Sequence, residues 1–188
     1  VQNTGKIFRI PTYIDIYEQG IKKRNQVWIE HAIDTFHFKS NSKPQLINFD
    51  GDKVLLCEKK ENKTLEEYIY QYHHAGTYID RHEAVEFCGK KTDNNLALSL
   101  LKDALKDPFY GIRELALTKI DTKKDRIRKF FESDLASIAT HETYRPAKGF
   151  ALALLGNFNS DIYKDLFLKN VYDSSYSVSG YALESLKM

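Results

Sequence analysis

Cysteine, methionine, tryptophan and proline are all scarce in this chain: two, one, one and four among 188 residues. Two cysteines, Cys57 and Cys88, decide nothing about redox compartment. They fall in segments that read as a strand and a helix, where a small buried thiol is the ordinary expectation. No apolar run approaches the roughly 20 residues that a membrane-spanning helix needs. Charge of one sign is also lacking. The 28 Lys and Arg face 26 Asp and Glu, a net charge of +2, so no global field draws in nucleic acid or an anionic membrane. Binding to either would need a local patch. Val1 is followed by no basic or apolar leader, so no signal peptide is expected in these residues and the compartment is left open. There is no HExxH, no glycine-rich phosphate loop, no GxSxG and no CxxC, and no residue is assigned a catalytic, cofactor-binding or metal-ligating role. A hydrophobic content of 42% with mean hydropathy −0.50 fits a globular chain, long enough for one sizeable core or two short domains.

What is abundant is repetition. Tyr78, Tyr110, Tyr144 and Tyr176 open similar phrases spaced 32, 34 and 32 residues apart, each followed by an alanine in an apolar helical stripe: Ala84, Ala116, Ala151 and Ala182. Such a period marks an α-solenoid, whose helix pairs cannot bury their own apolar faces and must stack. Helices are expected near 64–74, 78–91, 94–106, 108–120, 123–139, 146–156, 161–171 and 175–187, forming four pairs with the tyrosine phrase heading each second helix. Thr64 and Glu67 have capping-box spacing. Asp107-Pro108 reads as a helix start. The alanines should admit a close neighbouring helix, with the tyrosine rings covering the gap between helices while their hydroxyls stay wet.

Before residue 60 the pattern is different. Ile7–Tyr17, Val27–Phe38 and Val54–Cys57 read as strands, with Glu18–Gln26 as a hairpin loop between the first two. Pro11, with no amide proton, suits an edge or bulged strand. About four strands are too few for a complete antiparallel sandwich. The fold class is therefore α+β: a partial antiparallel β-sandwich over residues 1–60, followed by HEAT-like helix pairs over 61–188.

Several groups carry residue types capable of chemistry. His73, His74 and His82 are the nearest thing to a metal cluster, but adjacent histidines on a helix point about 100° apart, and a solvated helix end is the expectation. His31 and His37 share strand parity, with no carboxylate or thiol matched to them. Asp50-Gly51-Asp52 resembles the opening of a calcium loop whose later ligands are absent, so a tight turn is expected. Lys119, Lys123, Lys124, Arg126, Arg128 and Lys129 form a basic run, read as a solvated helix face. Arg81, Arg113 and Lys148 each stand three residues before a repeat alanine, with Ser179 in the fourth phrase. They would form a ladder, pairing with acids such as Glu83 and Glu114 or lining a concave face.

The order IFRIPTYIDIY, VWIEHAIDTFHF and PQLINFDGDKVLL, followed by paired helices, resembles the region after the catalytic domain of gluzincin-type zinc aminopeptidases, relatives of aminopeptidase N and leukotriene A hydrolase. Phe8, Ile10 and Pro11 match the family's F-x-I-P strand, Trp28 and Phe36 to Phe38 its next strands, and Pro44 to Asp50 its P-x-x-I-x-F-D strand. The resemblance implies a small sandwich and an armadillo- or HEAT-like domain that braces the catalytic domain and limits peptide entry. It also implies zinc in that catalytic domain, whose HExxH helix, later glutamate and exopeptidase motif have no counterpart here. The expected partners are that domain and the parent's peptide substrate, with self-association through an open sheet edge. An independent HEAT-like scaffold for a protein partner is the alternative.

Overall fold

The structure, a computed structural model, describes residues 6–158 and 161–187. It is α+β: eight α-helices and one three-stranded antiparallel sheet among the described residues. The strands are β1 (Ile10–Glu18), β2 (Ile21–Ile29) and β3 (Leu46–Phe49), in the order β2-β1-β3. The helices are α1 (Leu65–His74), α2 (Tyr78–Gly89), α3 (Asn95–Ala104), α4 (Tyr110–Thr118), α5 (Asp125–His141), α6 (Arg145–Gly156), α7 (Lys164–Val171) and α8 (Tyr176–Ser185). All eight helices fall where the sequence pattern places them, with ends shifted by a few residues. The chain divides into two compact units, residues 1–84 and 85–188. The change from strand to helix does fall near residue 60, but α1 and the start of α2 belong to the same unit as the sheet.

In the first unit, β1 and β2 pair along their whole length, Ile10 opposite Ile29 and Glu18 opposite Ile21. The connection is only Gln19-Gly20, both at positive φ (50° and 76°), the backbone of a primed two-residue hairpin turn. This corrects the loop expected over Glu18–Gln26: Ile21–Gln26 is strand. The polar run pairs because its cations meet carboxylates on β1. Lys22 Nζ lies 2.9 Å from Asp15, Arg24 grips Asp15, and Lys23 lies 3.6 Å from Glu18. β2 then stops at Ile29, short of the expected Phe38, because the Asp34 carboxylate captures the amides of Glu30 and His31, each at 3.1 Å. Val54–Cys57 is not a strand, and the third strand is Leu46–Phe49, paired with Ile14–Tyr17. Pro11 therefore sits in the central strand, not in an edge strand. It is tolerated because β3 stops short of it, leaving β1 paired there only with β2.

Alternation gives the sheet two unlike faces. Ile14, Ile16 and Val27 bury one face with Phe36 and Phe49 packed on it. The other carries Asp15, Tyr17, Leu46 and Asn48, all buried. Tyr17 meets Tyr70 of α1 edge-on at 5.8 Å. α1 begins with the expected capping box: Glu67 N donates to Thr64 Oγ1 at 3.3 Å and Thr64 N to Glu67 Oε2 at 2.6 Å.

In the second unit α4 packs on α6 and α6 on α8, while α3, α5 and α7 pack on α4, α6 and α8 respectively. Ile112, Leu117, Phe131, Leu152 and Leu155 are buried here, each contributing on the order of 1.5–3 kcal/mol. Ala116, Ala151 and Ala182 are each 0% exposed, as their place in the repeat requires, and Ala84 is too. Helix α4 starts two residues later than Asp107-Pro108 suggested. Asp107 Oδ1 accepts from Phe109 N at 2.8 Å, so the aspartate closes the turn before the helix and Phe109 is the N-cap.

Candidate functional site

The repeat residues of the second unit form a row of staples. An acid stands just before each tyrosine phrase and closes its turn: Glu142 Oε1 accepts from Tyr144 N at 2.9 Å, and Asp173 Oδ1 from Ser175 N at 2.9 Å. The same acids receive the cation of the preceding phrase. Arg113 Nε and Nη2 donate to Glu142 at 2.6 and 2.8 Å, and Lys148 Nζ donates to Asp173 at 3.1 Å. Arg145 joins Asp173 as well. The repeated cations thus pair structurally, but with the acid of the next unit and not with Glu114, which interacts with Tyr144 instead. Arg81, in the first unit, donates to the Gly76 carbonyl at 2.9 Å. Glu142 is held below the usual glutamate range by the Arg113 hydrogen bonds, which outweigh its burial.

The tyrosines cover the gaps only in part. Tyr110, the first residue of α4, and Tyr144, just before α6, lie ring to ring between these neighbouring helices, centroids 4.2 Å apart. Tyr176 is 96% exposed. Beside the staples, a surface cavity of about 240 Å³ is lined by Lys106, Asp134, Ser137, His141 and Glu142 among others. Its charges are already matched: Lys102 and Lys106 lie 3.0 and 3.5 Å from Asp134, and Glu142 belongs to Arg113.

The other candidates disperse. His74 Nδ1 faces the Tyr70 carbonyl at 2.9 Å and its ring stacks on Tyr70 at 3.9 Å, while His82 lies beside Tyr78. Among the described residues, no group of three or more His, Cys, Asp or Glu side chains is gathered to hold a metal ion. His31 and His37 lie beyond the end of β2, and His31 does have a carboxylate, Asp34, at 2.8 Å. That contact raises the His31 pKa. Asp50-Gly51-Asp52 is a turn, closed by Lys53 N donating to Asp50 O at 2.8 Å. In the basic run, Lys119 pairs with Glu86, Arg128 with Asp125, and Arg126 with Asn95 and nearby carbonyls, which leaves a partly neutralised helix start. Cys88 is buried, and burial pushes its thiol up to about 12. Cys57 is exposed and outside any strand.

Sequence reading missed a buried polar network in the first unit. Lys53 Nζ reaches Asp80 at 2.9 Å, Asn48 Oδ1 at 2.7 Å and the Phe49 carbonyl at 3.0 Å. Asp80, fully buried, also accepts from Asn48 and Thr77. Gln71 joins Asp80 O, Glu83 and Lys63, while Lys59 bridges Glu61 and Glu83. This network ties the chain after β3 to α1 and the start of α2, which is why those segments belong with the sheet. No signal marks such residues in sequence, because each alone resembles a surface residue. The chemistry available in both units is pairing, capping and presentation of aromatic surface. No protein family, no curated protein and no solved structure matches this chain.

Proposed function

We propose that this chain is the non-catalytic C-terminal region of a gluzincin-type zinc aminopeptidase, bracing the catalytic domain and limiting which peptides reach its active site. The observation that carries the reading is the incomplete sheet. Among the described residues, three strands leave the outer edges of β2 and β3 unpaired within the sheet, and Ile21, Trp28 and Ile47 on those strands are exposed. Exposed apolar side chains beside open edges call for a covering neighbour. In this reading the sheet is the remainder of a sandwich, and helices α3–α8 are HEAT-like pairs of an α-solenoid, stapled by Arg113–Glu142 and Lys148–Asp173. The zinc belongs to the catalytic domain, and no step of peptide hydrolysis passes through these residues. The coding sequence upstream of Val1 tests this: an HExxH followed by a later glutamate is expected, and an upstream frame lacking them overturns it. One tightly held zinc per copy of the present chain would overturn it too.

A second reading is an independent HEAT-like scaffold for a protein partner. The exposed rings of Tyr110 and Tyr176 favour it, because tyrosine is enriched at interfaces. The same upstream sequence separates the two.

A further inference from the structure

Helix α6 is both a guest and a host, packing on α4 and receiving α8. Helix α8 docks on α6 by setting the Tyr181 ring over Gly149, where a Cβ would lie 2.9 Å from Tyr181 Cδ2. Gly149 stands two residues before its repeat alanine, Ala151. Gly180 occupies the same place before Ala182, so α8 carries the socket that α6 uses. That second socket is empty, because a Cβ at Gly180 would meet nothing within 4 Å. Around it lies an open cavity of about 350 Å³ lined by Tyr176, Ser177, Gly180, Tyr181 and Glu184. Leu183 is exposed on the same helix. Tyr144, the counterpart of Tyr176, packs its ring against Tyr110 at a tilt of 36°, whereas Tyr176 is almost fully exposed. The outer face of α8 thus sets exposed Tyr176 and Leu183 beside Ser177 and Glu184.

We propose that the outer face of α8 is a helix-docking site, and that its occupant is an amphipathic helix from a further pair of the same kind, seating an aromatic ring over Gly180. The proposal continues the α6–α8 interface by one step. It fits a separate helix better than a second α8, whose Tyr181 is already engaged on its own Gly149. The occupant needs no acid opposite the cation position, because α8 has Ser179 there, donating to the Val171 carbonyl at 2.8 Å. The inference rests on the helix-pair part of the proposed function and not on the peptidase. An upstream frame without HExxH leaves it standing.

The probe is a lactam-stapled, fluorescent helix with the sequence of residues 174–187, stapled so that helix nucleation does not limit binding. Titrated into the 188-residue chain, it should bind saturably. Binding should weaken by roughly tenfold or more with Gly180→Leu in the protein, or with Tyr181→Ala in the peptide, and stay unchanged with Lys129→Ser. Circular dichroism confirms that Gly180→Leu folds, as an open helical position allows. No saturable binding up to about 1 mM peptide overturns the proposal, as does binding indifferent to Gly180→Leu. Sedimentation showing a dimer of the wild type that Gly180→Leu disperses would assign the face to a second copy and overturn the occupant.

Discussion

The guanidinium of Arg113 on α4 grips the carboxylate of Glu142 ahead of α6 through two bonds, Nε to Oε2 at 2.6 Å and Nη2 to Oε1 at 2.8 Å. Its remaining nitrogen, Nη1, donates to the Asp107 carbonyl at 2.8 Å, so one side chain closes its own helix start and the next. A lysine can copy the charge but not the fork. Arg113→Lys should cost on the order of 1–2 kcal/mol and Arg113→Ala about 2–4 kcal/mol, read from denaturant midpoints. Equal, negligible losses for both would show that the pair does not hold successive helix pairs together.

Acid should release the same contacts. Burial pushes the Asp15 carboxyl upward, but hydrogen bonds and charge from Arg24 and Lys22 outweigh it and lower its pKa below the ordinary 3.8. Glu142 is likewise lowered from 4.5, by Arg113. A carboxyl depressed in the folded state adds stability that is complete above its unfolded pKa and disappears as pH falls through the folded value. Unfolding free energy should rise slightly as pH falls from neutrality to about 6, where His31, its pKa raised by Asp34, becomes protonated, and should then fall below about pH 4. In Glu142→Gln the fall should be shallower, and an unchanged slope would assign it to other carboxylates.

Two glycines at one repeat position should respond in opposite directions. Gly149→Ala would drive a methyl group to 2.9 Å from Tyr181 Cδ2, whereas Gly180→Ala would meet nothing within 4 Å. The first should destabilise by about 1–3 kcal/mol and the second should stabilise by about 0.5–1 kcal/mol through helix propensity. Melting temperatures of the two variants check this, and shifts of the same sign would contradict the packing of α8 on α6.

The cysteines offer an independent reading of burial. At about pH 8 a thiol reagent should modify exposed Cys57 promptly and Cys88 only as the chain unfolds, because burial holds the Cys88 thiol protonated. Mass spectrometry should show one label per native chain and two in denaturant. Two labels on the native chain would place Cys88 in a segment that opens readily.

The helices were legible because their signals are local and repeated. Ala116, Ala151 and Ala182 recur in apolar stripes, and the burial of each confirms the spacing. The β segment was legible only where alternation was apolar, as in Ile14 and Ile16. The first six residues of β2, Ile21–Gln26, were hidden because Lys22, Lys23 and Arg24 alternate in charge partner and not in hydrophobicity, with Asp15 and Glu18 supplying the partners from the neighbouring strand. The staple acids were hidden for a related reason. Glu114 is near Arg113 in sequence, yet helix packing brings Glu142, 29 residues away, to the guanidinium. Lys53 and Asp80 carry no sequence signal that sets them apart from surface charges, and only the fold reveals that they share one buried bond network.

The Gln19-Gly20 turn has a consequence for the order in which the sheet assembles. β2 reaches β1 across two residues, whereas β3 must return from the far end of a long excursion to meet Ile14–Tyr17. A hairpin forms in roughly 1–10 µs, and the longer closure carries the larger entropic barrier. In pulse-labelled refolding, amides of the Tyr13–Gln26 ladder should be protected before those of Leu46–Phe49, and simultaneous protection would refute that order. Until β3 arrives, Ile14 to Tyr17 form a bare template strand, so nascent or refolding chains meet their greatest aggregation hazard in that interval.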